Sequence, residues 1–361
     1  MKKMKLNKTS GFNLASYLVV IAAFLILNPM QSAGMLSNSL KGQFIPICAY
    51  VVMAISLNLT VGVLGELSLG HAGFMSVGAF SGVVVAISIQ NSIASEPLRL
   101  ALAILVGGVL AGLAGLIIGI PVLRLQGDYL AIVTLAFGEI IKNIINCLYV
   151  GVDANGLHIG ITDIQSLGMT NGTVILKGPQ GAVGVPKIST FTAGIILVLV
   201  TLFVVLNLIK SRGGRAIMAI RDNRIAAESV GINITKYKLQ AFITSAAFAG
   251  MAGALYAMNY STIVAKKFDF NTSILVLVFV VLGGMGNIFG SIIATTILYM
   301  LPELLREYAD YRMLIYAIVL VAIMLITNSE KAKQIREIVS YRANKLLKRK
   351  KHLKKEVADN E

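Results

Sequence analysis

Ten apolar runs follow one another along this chain, at about 12–29, 44–63, 67–89, 99–123, 128–149, 189–209, 239–259, 272–285, 288–302 and 311–327. Most are close to the roughly 20 residues that a helix needs to cross a hydrocarbon core about 30 Å thick. Lipid offers no partners for backbone N–H and C=O groups, so a chain written this way folds as a bundle of helices that satisfy themselves. The expected fold class is therefore an all-α integral membrane protein with about ten transmembrane or re-entrant helices. The eighth and ninth runs are short and meet at Gly283-Gly-Met-Gly-Asn-Ile-Phe-Gly290, which reads as two spans or as one broken element. Composition excludes a soluble domain: 56% of the 361 residues are apolar and 14% charged, against about a quarter charged in soluble domains.

The net charge of +15 would suit nucleic acid if it formed a patch with interleaved aromatics. Instead, of 32 Lys and Arg, four lie in residues 2–8, seven in 210–238 and eleven in 331–355, the flanks and one loop of the apolar block. That is the distribution the positive-inside rule produces, and nucleic-acid binding is set aside. A cytoplasmic start and six crossings bring 210–238 back to the cytoplasm, and ten crossings place the tail there too. The chain then divides into a cytoplasmic N-terminus (1–11), a transmembrane domain (12–328) with an outer loop (150–188) and a cytoplasmic loop (210–238), and a basic tail (329–361). The opening stretch has the basic and apolar regions of a secretory signal, but the charge rule favours an uncleaved first span. The tail reads as a solvated segment that fixes topology, with a helix at the lipid surface as the alternative.

Cys48 and Cys147 lie inside apolar runs without metal-ligand spacing. With three scattered histidines, no metal or other cofactor is expected, and no catalytic constellation stands out. Glycines four apart (Gly78 and Gly82, Gly108 and Gly112, Gly115 and Gly119) line helix faces on which backbones can approach closely.

The most informative stretch opens Leu57-Asn-Leu-Thr-Val-Gly62, continues Gly65-Glu-Leu-Ser-Leu-Gly-His-Ala-Gly-Phe74 and closes with Gly78-Ala-Phe80. Glu66 marks the cytoplasmic interface, while Ser68 and His71 open the next helix. Polar groups inside a span are costly unless they are buried in protein or line a wet path. By itself His71 is more often a satisfied interior residue than a ligand. Further strings follow in order: Gly127-Asp-Tyr-Leu-Ala-Ile-Val-Thr-Leu-Ala-Phe-Gly-Glu139, Gly178-Pro-Gln-Gly-Ala-Val-Gly-Val-Pro186, Ser211-Arg-Gly-Gly-Arg-Ala-Ile-Met-Ala-Ile-Arg-Asp-Asn-Arg-Ile-Ala-Ala-Glu-Ser-Val-Gly231, and Val281-Leu-Gly-Gly-Met-Gly-Asn-Ile-Phe-Gly290. Together they resemble the permease subunits of branched-chain amino-acid ABC importers, in the branch called LivM. Residues 151–175 fit that pattern poorly and read as an insertion.

The resemblance implies a fold like that of the cobalamin-importer type. It also implies two ATP-binding subunits, a second permease homologue and an external amino-acid-binding protein as partners, in a bacterial cytoplasmic membrane with both termini inside. The chain has no G-x-x-x-x-G-K-(S/T) of its own, so ATP hydrolysis falls to separate subunits. Ala226-Ala-Glu-Ser-Val-Gly231 resembles the core of the coupling loops that such permeases insert into their ATPases. Arg221, Asp222, Ala226, Ala227, Glu228 and Gly231 are the coupling candidates, on a helix expected over 215–229 and ended by Gly231.

For the translocation pathway the candidates are Ser68, His71 and Glu139. Glu139 lies about 18 Å along its span, and Lys142, Asn143 and Asn146 complete a polar face with Lys142 as its partner. A structural ion pair between helices competes equally with a pathway role. Urea, short amides or other amino acids remain open as substrates. A self-sufficient secondary transporter using Glu139 or His71 as a proton relay is the rival class.

Overall fold

The computed structural model describes residues 8–33, 37–125, 127–153, 156–169 and 172–305, with a few positions between 311 and 321. The basic tail and most of the run at 311–327 lie outside the described residues. The chain divides into two compact units, Met1–Met300 and Leu301–Glu361, and all the contacts below belong to the first.

Among the described residues nine helices fall on the first nine apolar runs, and two short ones form in the segment between the sixth and seventh. The first five are α1 (Lys8–Ser32), α2 (Asn38–Asn58), α3 (His71–Ser88), α4 (Glu96–Val122) and α5 (Asp128–Asn146). Further along come α6 (Phe191–Lys210), the two short helices α7 (Arg212–Asp222) and α8 (Arg224–Ser229), α9 (Ile234–Ala257), α10 (Phe270–Gly283) and α11 (Ile288–Leu304). Among the described residues six helices (α1 to α4, α6 and α9) are long and apolar enough to cross a membrane. The apolar helix α10 has 14 residues, about 21 Å at 1.5 Å per residue and short of a full hydrocarbon core. It turns into α11 through Gly284 and Gly286, both at positive φ, so the Gly-rich run is a tight helical hairpin.

The bundle is organised around α2, which is almost wholly buried, whereas α1 is mostly exposed and leans on α6 through Phe24 and Phe191. Beside α2, three helices cross with their backbones in contact. A Cβ added at Gly78 of α3 would strike the Gly250 backbone of α9, and one at Gly250 would meet the Gly107 carbonyl of α4 at 2.6 Å. Further along α4, Gly108, Gly112, Gly115 and Gly119 all face α9. Lipid tails are as apolar as leucine, so such close packing, and not water exclusion, holds helices together.

The all-α expectation needs correction. The segment expected as an outer loop, 150–188, supplies four strands of a five-stranded antiparallel sheet in the order β2-β1-β3-β4-β5, from β1 (Tyr149–Asp153), β2 (Gly156–Gly160), β3 (Gly172–Lys177), β4 (Ala182–Val183) and β5 (Thr262–Ile263). β5 follows α9, far along the chain, and pairs with β4 through Ala182 and Ile263. The sheet therefore ties the end of α9 to the start of α6. Its strands are too short and too rich in glycine to register as apolar runs. The opposite end of α6 and the start of α9 carry α7 and α8, so the sheet and the α7–α8 segment occupy opposite ends of the bundle.

Candidate functional site

The segment 211–233 is built by three consecutive caps. Ser211 Oγ accepts from Gly214 N at 3.1 Å, Asn223 Oδ1 from Ala226 N at 3.0 Å, and Asn233 Oδ1 from Lys236 N at 3.0 Å. Each side chain satisfies a helix amide that has no partner within its helix. The one helix expected over 215–229 is therefore two, broken at Asn223 where the cap forces extended backbone. Gly231, at φ +81 with open space where a Cβ would be, ends α8.

The coupling candidates divide into two groups. Ala226, Glu228 and Gly231 are exposed, and so is Asp222. Ala227 is turned inward: it is 3% exposed and packs with Ile220 and Ile234. It acts as the seat on which α8 rests, with no surface left for a partner. Arg221, 40% exposed, also reaches back to the chain. Its Nη1 donates to the Gly62 carbonyl at 3.1 Å while its Nε and Nη2 hold Asp222. The side chains the segment does present are Ile225 and Val230, 78% and 76% exposed. Sequence reasoning passed over both, although an isoleucine and a valine within a charged, capped loop are a signal that could have been read.

Ser68 and His71 are each 1% exposed. Ser56 Oγ donates to the Met53 carbonyl at 2.8 Å and lies 2.9 Å from His71 Nε2. The single hydroxyl proton of Ser56 is thus committed, and the imidazole nitrogen is the donor. His71 binds the start of α3 to α2. The Ala72 amide donates to Ser273 Oγ of α10 at 3.1 Å, and the Leu69 amide to Thr134 Oγ1 of α5 at 3.1 Å. The Ser68 hydroxyl has no hydrogen-bond partner among the described residues. The start of α3 lies on α5, with Gly70 against Thr134 and Gly138.

Glu139 follows on the next position of α5 and pairs with Lys142, as the spacing predicts. Their side chains are 34% and 18% exposed. Around the rest of the same helix Tyr129, Ile132, Ile140 and Ile144 are open, at 73%, 61%, 49% and 58%. Ser68 and His71 are thus enclosed, while Glu139 lies on an uncovered face of the neighbouring helix. They do not converge on a shared space. A further pair, the partly exposed Glu66 with the buried Lys238, joins the turn before α3 to the first turns of α9. The sequence marked Glu66 only as interfacial.

The chain is 32% identical over 310 residues to the high-affinity branched-chain amino acid transport system permease protein LivM of Salmonella typhimurium, and 35% over 293 residues to that of Escherichia coli. Both alignments cover 76% of this chain and 66% of the relative, just under two thirds of its length. A probable branched-chain amino acid transport permease protein LivM of Methanocaldococcus jannaschii is 28% identical over 265 residues, 66% of this chain and 73% of its own. No solved structure matches. The family described as branched-chain amino acid transport system / permease component matches residues 43–327, most of the chain and every helix from the greater part of α2 onward, and the chain belongs to that family.

Proposed function

We propose that this protein is a permease subunit of an ATP-driven importer, forming half of the translocation pathway for the branched-chain amino acids leucine, isoleucine and valine. One observation carries the reading. At one end of the bundle stands a short unit of two helices, each N-capped by a side chain (Ser211 and Asn223), whose outward apolar side chains are Ile225 and Val230 among charges. A loop that only lay in water would present polar groups there. In this reading it docks into a cleft of one of two ATP-binding subunits, with Ala226, Glu228 and Gly231 around it. The bundle resembles the cobalamin-importer type, the membrane is the bacterial cytoplasmic membrane with both termini inside, and an external amino-acid-binding protein delivers substrate at the sheet end.

The face of α5 supports a second permease as partner. An ion pair left partly open on α5, 34% and 18% exposed, is expensive wherever that side meets lipid, so the side of Glu139 and Lys142 meets protein or a wet path. A paired permease supplies both, with the pathway between the two copies. Ser68 and His71 then shape the neighbouring start of α3. The test is to purify the complex in mild detergent, identify its other subunits and reconstitute it in liposomes. Uptake of leucine, isoleucine or valine that requires ATP and the loaded binding protein is expected. Uptake by this chain alone, indifferent to ATP, would replace the importer by a secondary transporter.

Glu139 offers a separate check. Glu139→Gln keeps shape but leaves Lys142 unpaired. With Glu139 on the pathway wall, the complex should assemble in normal yield while uptake falls about tenfold, the scale of one charged hydrogen bond lost. Unchanged uptake together with a lowered melting temperature would make the pair a structural fastening.

A further inference from the structure

The last turns of α2, Ser56 to Leu64, gather bonds from four other elements. The Ser56 carbonyl accepts from Ser245 Oγ of α9, and its hydroxyl holds His71 of α3. Asn58, wholly buried, uses both ends of its amide. Oδ1 accepts from Gly286 N at 2.7 Å, and Nδ2 donates to Ser291 Oγ at 2.8 Å, clamping the α10–α11 hairpin. From Leu59 the helix loosens into a π-helical turn that ends at Leu64. The carbonyls of a last turn lack partners within their helix, and the Gly62 carbonyl takes the Arg221 guanidinium at 3.1 Å. A Cβ at Gly62 would collide with Asn58 Oδ1 and the Gly286 backbone, and one at Gly65 would meet Arg221 Cγ at 2.6 Å. Gly62 therefore lies between the Asn58–Gly286 bond on one side and the Arg221 guanidinium on the other, and has no room for a side chain.

We propose that Arg221 is a positioning residue that transmits movement of the α7–α8 unit into the bundle through the π-helical turn of α2. This rests on the reading of α7–α8 as the docking unit and goes beyond it, by naming where the motion goes. A displacement of α7 pulls on Gly62. The π turn is the compliant part of α2, since a helix with i→i+5 bonds sits where register can shift, and such turns recur at functional sites. From there Asn58 drags Gly286 and the α10–α11 hairpin, while Ser56 carries His71 and the start of α3. Coupling of this kind needs a connected set of groups with two arrangements. The buried Asn58 makes the connection stiff, because an amide released inside the bundle would leave donor and acceptor unsatisfied.

The experiment uses the full complex of permeases, ATP-binding subunits and loaded binding protein. Arg221→Met keeps a stem to pack on Gly65 and removes the donors. A nitroxide at Met285→Cys, which is 64% exposed on the hairpin, reports its movement in a Cys147→Ser background. In the parent complex, trapping with ATP should change the label's mobility. In Arg221→Met, assembly and ligand-stimulated ATPase should persist, the label should cease to respond, and amino acid taken up per ATP should fall about tenfold. Ser291→Ala, which removes the partner of Asn58 Nδ2 with little change of volume, should weaken the label response in the same direction.

A label that still responds in Arg221→Met, or an unchanged ratio of uptake to ATP, overturns the proposal while leaving the importer intact. Loss of ATPase stimulation together with uptake also overturns it, since Arg221 would then belong to the docking contact. Absence of ligand-stimulated ATPase in the parent complex sinks the importer reading itself, and this proposal with it.

Discussion

Replacing Ile225 by arginine should leave the permease inserted, folded and extractable, yet nearly abolish uptake. The side chain is 78% exposed, so nothing in the bundle depends on it. In a docked complex it would be an apolar anchor, and truncating such anchors costs about 2 kcal/mol or more, some thirtyfold in affinity. A guanidinium in the same cleft adds the desolvation of an unpaired charge. Ile225→Arg with Val230→Arg should lower recovery of the ATP-binding subunits in pull-down and remove ligand stimulation of their activity. Ala227→Arg should fail by a different route. Ala227 is buried in one cluster with Ile220 and Ile234, so the longer side chain would prise α8 from α7 and expose the segment to protease before any partner is met. Undiminished uptake in the Ile225 and Val230 double variant would remove this segment as the docking unit, and with it the physical support for an ATP-driven mechanism.

Gly250→Val should prevent the bundle from closing. The position lies where α3, α4 and α9 cross, with the Gly107 carbonyl 2.6 Å from where a Cβ would stand and Ala111 nearer still. Backbone cannot step aside as a flexible side chain does. The expected cost is at or beyond the upper end of the about 1–3 kcal/mol that overpacking brings, read as loss of monodisperse protein after detergent extraction. Gly112→Ala on α4 is the contrast. There a methyl group would meet the Ala247 Cβ at 3.5 Å and Ile243 Cγ2 at 3.8 Å, ordinary contact distances. Alanine is also the better helix former, by about 0.5–1 kcal/mol, so that variant should keep or gain thermal stability. Equal behaviour of the two variants would mean that the helices do not cross as described.

The two results separate docking from folding, and that separation follows how the chain is written. Periodicity and length were enough to place α2 to α6, α9, α10 and α11, though not how the last two join, because a helix in lipid must satisfy its own backbone whatever surrounds it. The Glu139–Lys142 pair was legible for a similar reason: neighbours three apart on a helix meet regardless of tertiary context. The close-crossing glycines were visible as a pattern, though not which helix each would meet.

What the tertiary structure decided are the contacts between positions remote in the chain. Arg221 reaches Gly62 across 159 positions, Lys238 reaches Glu66 across 172, and Asn58 reaches Ser291 across 233. Nothing local names these partners. The alanine pair at 226 and 227 looks uniform in sequence, yet successive residues on a helix point about 100° apart, so only one can face the core. Which one was settled by where Ile220 and Ile234 lie. The sheet escaped for a similar reason, since β4 has two residues and acquires strand character by pairing with β3 and with β5, the latter brought beside it by the return of α9.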